Sequence, residues 1–232
     1  MWDKPPKKTV FTLALNNWQP EITEFTHPLM KAWAKKIGAD FYIIKERRLP
    51  EEFHPTYEKL QIYSLAQEMG NDWNIYIDSD ALIHPDFFDI TNHLTKDTVC
   101  HNGNDLADNR WRYDRFFHRD ARHIGSCNWF TVGSDWCIEL WHPLDDLTAQ
   151  EAVERINPTV NEKNTVISPE HLIDDFVLSR NIAKYGLKFD TVSNINKRLG
   201  LGEAGYLWHQ YTITPEEKVV RIKEIMKLWT LI

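Results

Sequence analysis

Cysteine is scarce in this chain, and the three present, Cys100, Cys127 and Cys137, form no C-x-x-C pair. An odd, widely spaced set excludes a disulfide framework and a zinc knuckle, and it implies a reducing compartment. Long apolar runs are missing too, since no window approaches the roughly 20 apolar residues that a bilayer-spanning helix requires. The segment Met1-Trp2-Asp3-Lys4-Pro5-Pro6-Lys7-Lys8 lacks the apolar stretch of a signal peptide. The only Asn-x-Thr, Asn157-Pro158-Thr159, has proline at its centre and is no glycosylation acceptor. The expectation is a cytoplasmic protein. Positive charge is in deficit: 27 Lys and Arg stand against 34 Asp and Glu, a net charge of -7. That is the wrong sign for a protein that wraps nucleic acid through its phosphates. No internal repeat or low-complexity linker interrupts the chain.

What is present has a globular balance, 42% hydrophobic and 26% charged over 232 residues, which fits one large domain with a sizeable core. Val10 to Leu15 is a short β-prone run. Pro20 opens a stretch with Ile22, Phe25, Leu29, Trp33 and Ile37 at helical spacing, closed by Gly38. Phe41 to Ile44 predicts a second strand, Tyr57 to Met69 a second helix stopped by Gly70, and Trp73 to Ile77 a third strand. Strands alternating with helices imply crossover units and a parallel sheet, whose ligands bind beyond the carboxyl ends of the strands. Further on, strands are predicted at Val99-Cys100, Asn128 to Val132 and Lys188 to Val192. A helix capped by Ser168-Pro169 ends at Gly186, and the capping box Thr214-Pro215-Glu216-Glu217 starts a closing helix through Val219, Ile222, Ile225, Met226 and Trp229. The polar stretches Asn102 to Ser126 and Asp145 to Val166 are long enough to be functional loops.

The sharpest chemical feature is Ile75-Tyr76-Ile77-Asp78-Ser79-Asp80, two carboxylates one residue apart at the end of a buried strand. As the chain turns out of the sheet both can reach one divalent cation, and hard oxygen ligands favour Mg2+ or Mn2+. The plainer alternative is a pair of solvated carboxylates opening a turn at Ala81. A second acidic pair, Asp174-Asp175, lies near a predicted helix start, where carboxylates are favoured with or without a chemical role. Trp208-His209 follows the glycine-rich Gly200-Leu201-Gly202-Glu203-Ala204-Gly205, a loop able to close over a ligand. Arg110, Arg112, Arg115, Arg119 and Arg122 interleave with Trp111, Tyr113, Phe116 and Phe117. In isolation that pattern suits single-stranded nucleic acid, but Asp114, Asp120 and the acidic balance point to an active-site loop. Ten tryptophans offer aromatic faces to sugars. Trp33 and Trp229 lie on apolar helix faces, whereas Trp129, Trp136, Trp141 and Trp208 flank polar segments and are the acceptor-side candidates.

Tyr76-Ile77-Asp78-Ser79-Asp80-Ala81-Leu82-Ile83 resembles the Asp-x-Asp motif of the GT-A family of nucleotide-sugar glycosyltransferases. The resemblance runs back through Tyr57-Glu58-Lys59-Leu60 and forward to about Trp208. It implies a single α/β domain with a Rossmann-like, mostly parallel sheet flanked by helices. Residues 1–100 would form the donor half, and residues 101–232 the acceptor half with its closing helix. It also implies that Ala14, Leu15 and Asn16 line the base pocket, that Lys59 meets the diphosphate, and that Asp78, Ser79 and Asp80 contact the nucleotide. Asp78 would reach the ribose and Asp80 the metal. In many such enzymes a late histidine completes the metal shell, which points to His209, and an imidazole suits Mn2+ better than Mg2+. Asp174-Asp175 is similar to the acidic motif of inverting members, where the second acid takes the acceptor hydroxyl's proton and the first is usually Glu. The expected activity is transfer of a hexose from a UDP-sugar to a glycan or other hydroxyl acceptor. Two other readings stay open: a haloacid-dehalogenase-like, Mg2+-dependent phosphatase with Asp78 as nucleophile, and a non-catalytic carbohydrate-binding protein.

Overall fold

A computed structural model describes residues 4–102, 129–157, 159–160, 166–201, 205–209 and 213–231. The chain enters through β1 (Lys8–Leu13), in which Val10 faces one layer of helices and Phe11 the other. Then come α1 (Pro20–Lys36), β2 (Asp40–Ile44), a 3-10 turn over Pro55–Gln61, α2 (Ile62–Met69) and β3 (Trp73–Ile77). β1 pairs in parallel with β2 on one side and with β3 on the other. The connection β1–α1–β2 and the connection β2–α2–β3 run in opposite directions along the sheet, and right-handed crossovers of opposite direction put their helices on opposite faces. Accordingly α1 packs Met30, Trp33 and Ala34 against Val10, Ile75 and Ile77, and α2 packs Leu65 and Ala66 in the cluster of Phe11 and Tyr76. The divergence of the two crossovers opens a crevice beyond the carboxyl ends of β1 and β3.

The rest of the chain supplies β4 (Leu82–Ile83), β5 (Thr98–His101), β6 (Phe130–Ser134), α3 (Ala149–Val153), the short pair β7 (Thr159–Val160) and β8 (Val166–Ile167), and α4 (Ile173–Tyr185). It ends with β9 (Lys188–Thr191), α5 (Val192–Leu199), β10 (Leu207–Trp208) and α6 (Pro215–Leu228). Six strands form the central sheet in the order β2-β1-β3-β6-β5-β9. α4 covers the same face as α2 through Ile173, Phe176 and Val177, while Val192 and Ile195 of α5 join the face of α1. α6 closes over α1 around Ile22, Leu29, Leu82, Ile222 and Met226. Among the described residues no helix is long and apolar enough to cross a membrane.

The sheet is mostly parallel, as expected; β6 alone runs antiparallel, to both β3 and β5, and such a pairing needs no crossover helix. Three expectations need correction. The segment Tyr57 to Met69 is not one α-helix: Tyr57, Glu58, Lys59, Leu60 and Gln61 are all buried in the 3-10 turn, so there is no solvent face for an amphipathic pattern to mark. Ser168 makes no backbone cap; a 3-10 turn over Pro169–Leu172 precedes α4, and the Ser168 hydroxyl pairs with the Glu170 carboxylate instead. The strand Lys188 to Val192 stops at Thr191, whose side chain accepts from the Asn194 N–H and caps α5, a helix with too few apolar positions to announce itself.

Packing is tightest where β6 meets the turn that follows it. A Cβ on Gly133 would lie 3.0 Å from both Cη2 and Cζ3 of Trp141, which is fully buried. Gly133→Ala should therefore destabilise the fold by about 1–3 kcal/mol, as overpacking does. For a chain of this size that lowers Tm by roughly 2–4 °C per kcal/mol, readable in a thermal melt, and an unchanged Tm would show that the indole has room to move.

Candidate active site

Asp78 leaves β3 with its N–H donating to the Trp129 carbonyl (2.8 Å) and its carbonyl accepting from the Ala81 N–H (2.9 Å), which closes a turn over 78–81. The Tyr76 hydroxyl donates to Asp78 Oδ1 at 2.6 Å. Ser79 points the other way. Its hydroxyl lies 2.7 Å from the Leu13 carbonyl, 3.0 Å from the Thr12 hydroxyl and 3.1 Å from His27 Nε2, and its carbonyl accepts from Thr26 at 2.5 Å. The middle residue of the motif thus ties the turn to β1 and α1, so the nucleotide contact implied for Ser79 is not where its side chain points.

Asp80 meets two partners from the far end of the chain. β10 pairs antiparallel with β4, Trp208 opposite Leu82, so one step further along that ladder His209 lies opposite Ala81. His209 Nε2 comes to 3.2 Å from Asp80 Oδ1, its ring stacks on Trp129 at a centroid separation of 5.1 Å, and the Lys218 ammonium pairs with Asp80 Oδ2. Burial by itself would raise the Asp80 pKa, but His209 and Lys218 outweigh it and hold the carboxyl well below the usual carboxylate range. One ligand atom each from Asp78, Asp80 and His209 lies within 4.8 Å of the others. Ligands of one cation at about 2.1 Å lie about 3.0–4.2 Å from one another, so the three side chains would draw closer together to hold it. Two carboxylates with one imidazole suit Mn2+, and Mg2+ next.

The second acidic pair joins this cluster through Lys59. Asp174 and Asp175 occupy the first turn of α4 and are 4% and 1% exposed. The Lys59 ammonium is buried between carboxylates, ion-paired with Asp174, 3.4 Å from Asp78 Oδ1 and 4.5 Å above the Tyr76 ring. Burial opposes its charge, yet Asp174 and Asp78 prevail and raise the Lys59 pKa above the ordinary lysine value. Burial, and then Asp78, push the Tyr76 phenol well above its usual value, which keeps it a donor. Lys59 is therefore buried inside the site between the two acidic elements.

The segment after β1 borders the crevice. Ala14 is buried, Leu15 half-buried and Asn16 exposed. Asn16, Asn17 and Gln19 take φ of 50°, 56° and 41°, a left-handed run of non-glycine residues at a cost of order 1 kcal/mol each. Nothing in the periodicity marks it beyond the Asn-Asn pair, since Asn tolerates this region. Of the tryptophans, Trp129 lies in the site, but Trp141 is core and Trp208 packs partly buried against the α1–α6 cluster. Trp136 is 66% exposed, but it follows the end of β6 that pairs with the start of β3, at the opposite edge of the sheet from Asp78. Arg110 to His123, Cys127 and Gly202 to Ala204 lie outside the described residues. Sequence reasoning passed over Lys218, although a lysine four and eight residues before Ile222 and Met226 on one helical stripe was a signal.

No family model matches the chain, and no curated protein matches it. Among solved structures its fold is similar to that of a glycosyltransferase involved in the glycosylation of the major capsid of PBCV-1. The TM-score is 0.51 at 12% identity, and the match covers 94% of this chain and 100% of that one. At that identity the likeness is one of fold.

Across the sheet, Tyr76, Thr131 and His101 stand side by side on β3, β6 and β5. His101 is 1% exposed, and neither ring nitrogen has a hydrogen-bond partner among the described residues. Burial pushes its pKa down to about 4, with Asp190 acting weakly against it. Below the unfolded value near 6.5 the unfolded chain takes a proton that the native ring refuses, so this contribution is whole above that pH and declines as pH falls toward 4. Urea titrations should show a loss of up to about 3 kcal/mol across that window, and His101→Phe should remove that part of the slope. An unaltered slope would mean that the ring titrates normally.

Proposed function

We propose that this chain is a metal-dependent, nucleotide-sugar glycosyltransferase of the GT-A kind, which moves a hexose from a UDP-sugar to the hydroxyl of a glycan or other acceptor. The observation that carries this reading is the meeting of Asp78, Asp80 and His209 within 4.8 Å at the end of β3, where the strand order β2-β1-β3 opens a ligand crevice. The fold likeness to a glycosyltransferase involved in the glycosylation of the major capsid of PBCV-1 supports it. Residues 1–100 form the donor half: Ala14 to Asn16 border the base, and the motif faces the diphosphate. Held by Asp78, Asp80 and His209, Mn2+ or Mg2+ would offset charge developing on the leaving diphosphate.

The remaining chemistry belongs to the protein's own groups. Tyr76 and Lys59 orient the Asp78 carboxylate before the donor arrives, which limits the reorganisation left for the reaction itself. Asp174 is committed to Lys59. On the resemblance of Asp174-Asp175 to the acidic motif of inverting members, we assign Asp175, in the first turn of α4, the role of base that takes the acceptor proton as the sugar is transferred with inversion.

Calorimetry with UDP-sugars and other nucleotide sugars, with Mn2+ and with chelator, tests the donor side. One nucleotide should bind only with metal, and Asp80→Ala should abolish that binding; no metal-dependent binding by any of them would end this reading. Asp175→Asn should keep donor binding and lose turnover by about 100-fold or more, as removal of a general base does. Undiminished turnover in that variant would remove the inverting assignment and leave the donor site standing.

A further inference from the structure

Lys218 has no part in the reading above, and its position is the least expected in the molecule. The buried stripe of α6 consists of Lys218, Ile222 and Met226, one helical turn apart, so a lysine stands where the pattern asks for an apolar residue. An ammonium on a buried stripe is costly unless it is paired. Its pair is Asp80, and the two side chains are 8% and 13% exposed. The helix delivers this charge from both ends. Pro215 and the reciprocal capping bonds of Thr214 and Glu217 hold the first turn, and Ile222 and Met226 lock the next two against Ile22, Leu29 and Leu82.

Asp80 is also the carboxylate that joins Asp78 and His209 in the cation cluster. A divalent cation and a buried ammonium on one carboxylate would be like charges a few ångströms apart. We propose that Lys218 is a built-in competitor for the cation site: its ammonium and a divalent cation exclude one another at Asp80, so docking of α6 through Lys218 lowers the intrinsic cation affinity of the cluster. The inference rests on the proposed function only in taking Asp80 as a cation ligand. Lys218 is in this sense a residue that sets affinity, not a catalytic one.

The test is Mn2+ binding to the full chain without nucleotide, followed by electron paramagnetic resonance of the free ion. Lys218→Met keeps the aliphatic stem and removes the charge, and it should tighten Mn2+ binding about tenfold, the scale of one partly screened charge at contact range. Lys218→Arg, which keeps the charge, and Lys227→Met, which makes the same change in net charge at an exposed position of α6, should each stay within about twofold of the parent. Unchanged or weaker binding in Lys218→Met would overturn the proposal. If that variant folds poorly, the parent protein serves: saturating Mn2+ should speed hydrogen exchange in the first two turns of α6, and unchanged exchange would overturn it equally. Parent protein without Mn2+ binding that Asp80→Asn abolishes would defeat the cation site itself, whereas binding that ignores Lys218 would defeat only this inference.

Discussion

Lys59 places one buried ammonium between Asp78, at the end of β3, and Asp174, in the first turn of α4. A charge this enclosed is tolerated only because both flanking carboxylates and the Tyr76 ring face it, and removing any one partner would strand the others. The pairing therefore imposes a relation between two elements whose covalent connection is long: α4 must dock with its N-terminus against the motif strand. The adjacent Glu58 is equally buried and works in the opposite direction. Its carboxylate accepts from Arg47 Nε (3.2 Å), the Arg48 N–H (2.9 Å), the Leu49 N–H (3.2 Å) and Gln61 Nε2 (2.6 Å), which pins the loop after β2. One 3-10 turn thus carries two buried charges of opposite sign, one for the loop and one for the site, and this explains why it shows no polar face.

The same logic of fixed partners runs through the motif. Asp78 is set by Tyr76, Lys59 and its own N–H bond to Trp129, and Trp129 in turn stacks on His209. Ser79 spends its hydroxyl on β1 and α1. The acids therefore project from a frame held by protein donors, which is what preorganisation of a charged site requires. Among the described residues, left-handed backbone at non-glycine positions falls on Asn16, Asn17 and Gln19, which border the crevice, and on Thr230 just after α6.

Much of the sheet and the motif was legible in the sequence because both rest on short-range patterns. Strands β1, β2 and β3 are apolar runs, Gly70 and Gly186 stop helices at φ of 64° and 63°, and Asp78 and Asp80 sit at a recognisable strand end. His209 was found through a resemblance, not through its surroundings, because the pairing that brings it to Asp80 involves strands of only two residues. The buried pairing of Lys59 was not legible, since its partner Asp174 lies more than a hundred positions away and no local period records such a pairing. The reversed β6 was hidden for a related reason: direction in a sheet is decided by the path between strands, and a strand reads the same either way.

The overall charge of -7 sets a last condition on any phosphate-bearing ligand. At physiological salt the field is screened beyond about 8 Å, so an acidic protein does not repel an anion along its whole approach, but the final contact must still be favourable. Asp78, Asp80, Asp174 and Asp175 bring four formal negative charges to one edge of the sheet, and Lys59 and Lys218 return two positive ones. With His209 counted as neutral, two negative charges remain, the number that a single divalent cation balances. If that cation displaces Lys218 from Asp80, the ammonium stays at the same edge without its carboxylate, and the edge passes from two net negative charges to none. A site built in this way discourages anions while Lys218 and Asp80 are paired and accepts them once the pair is replaced. That ordering follows from the placement of charges alone, whichever sugar and acceptor the crevice serves.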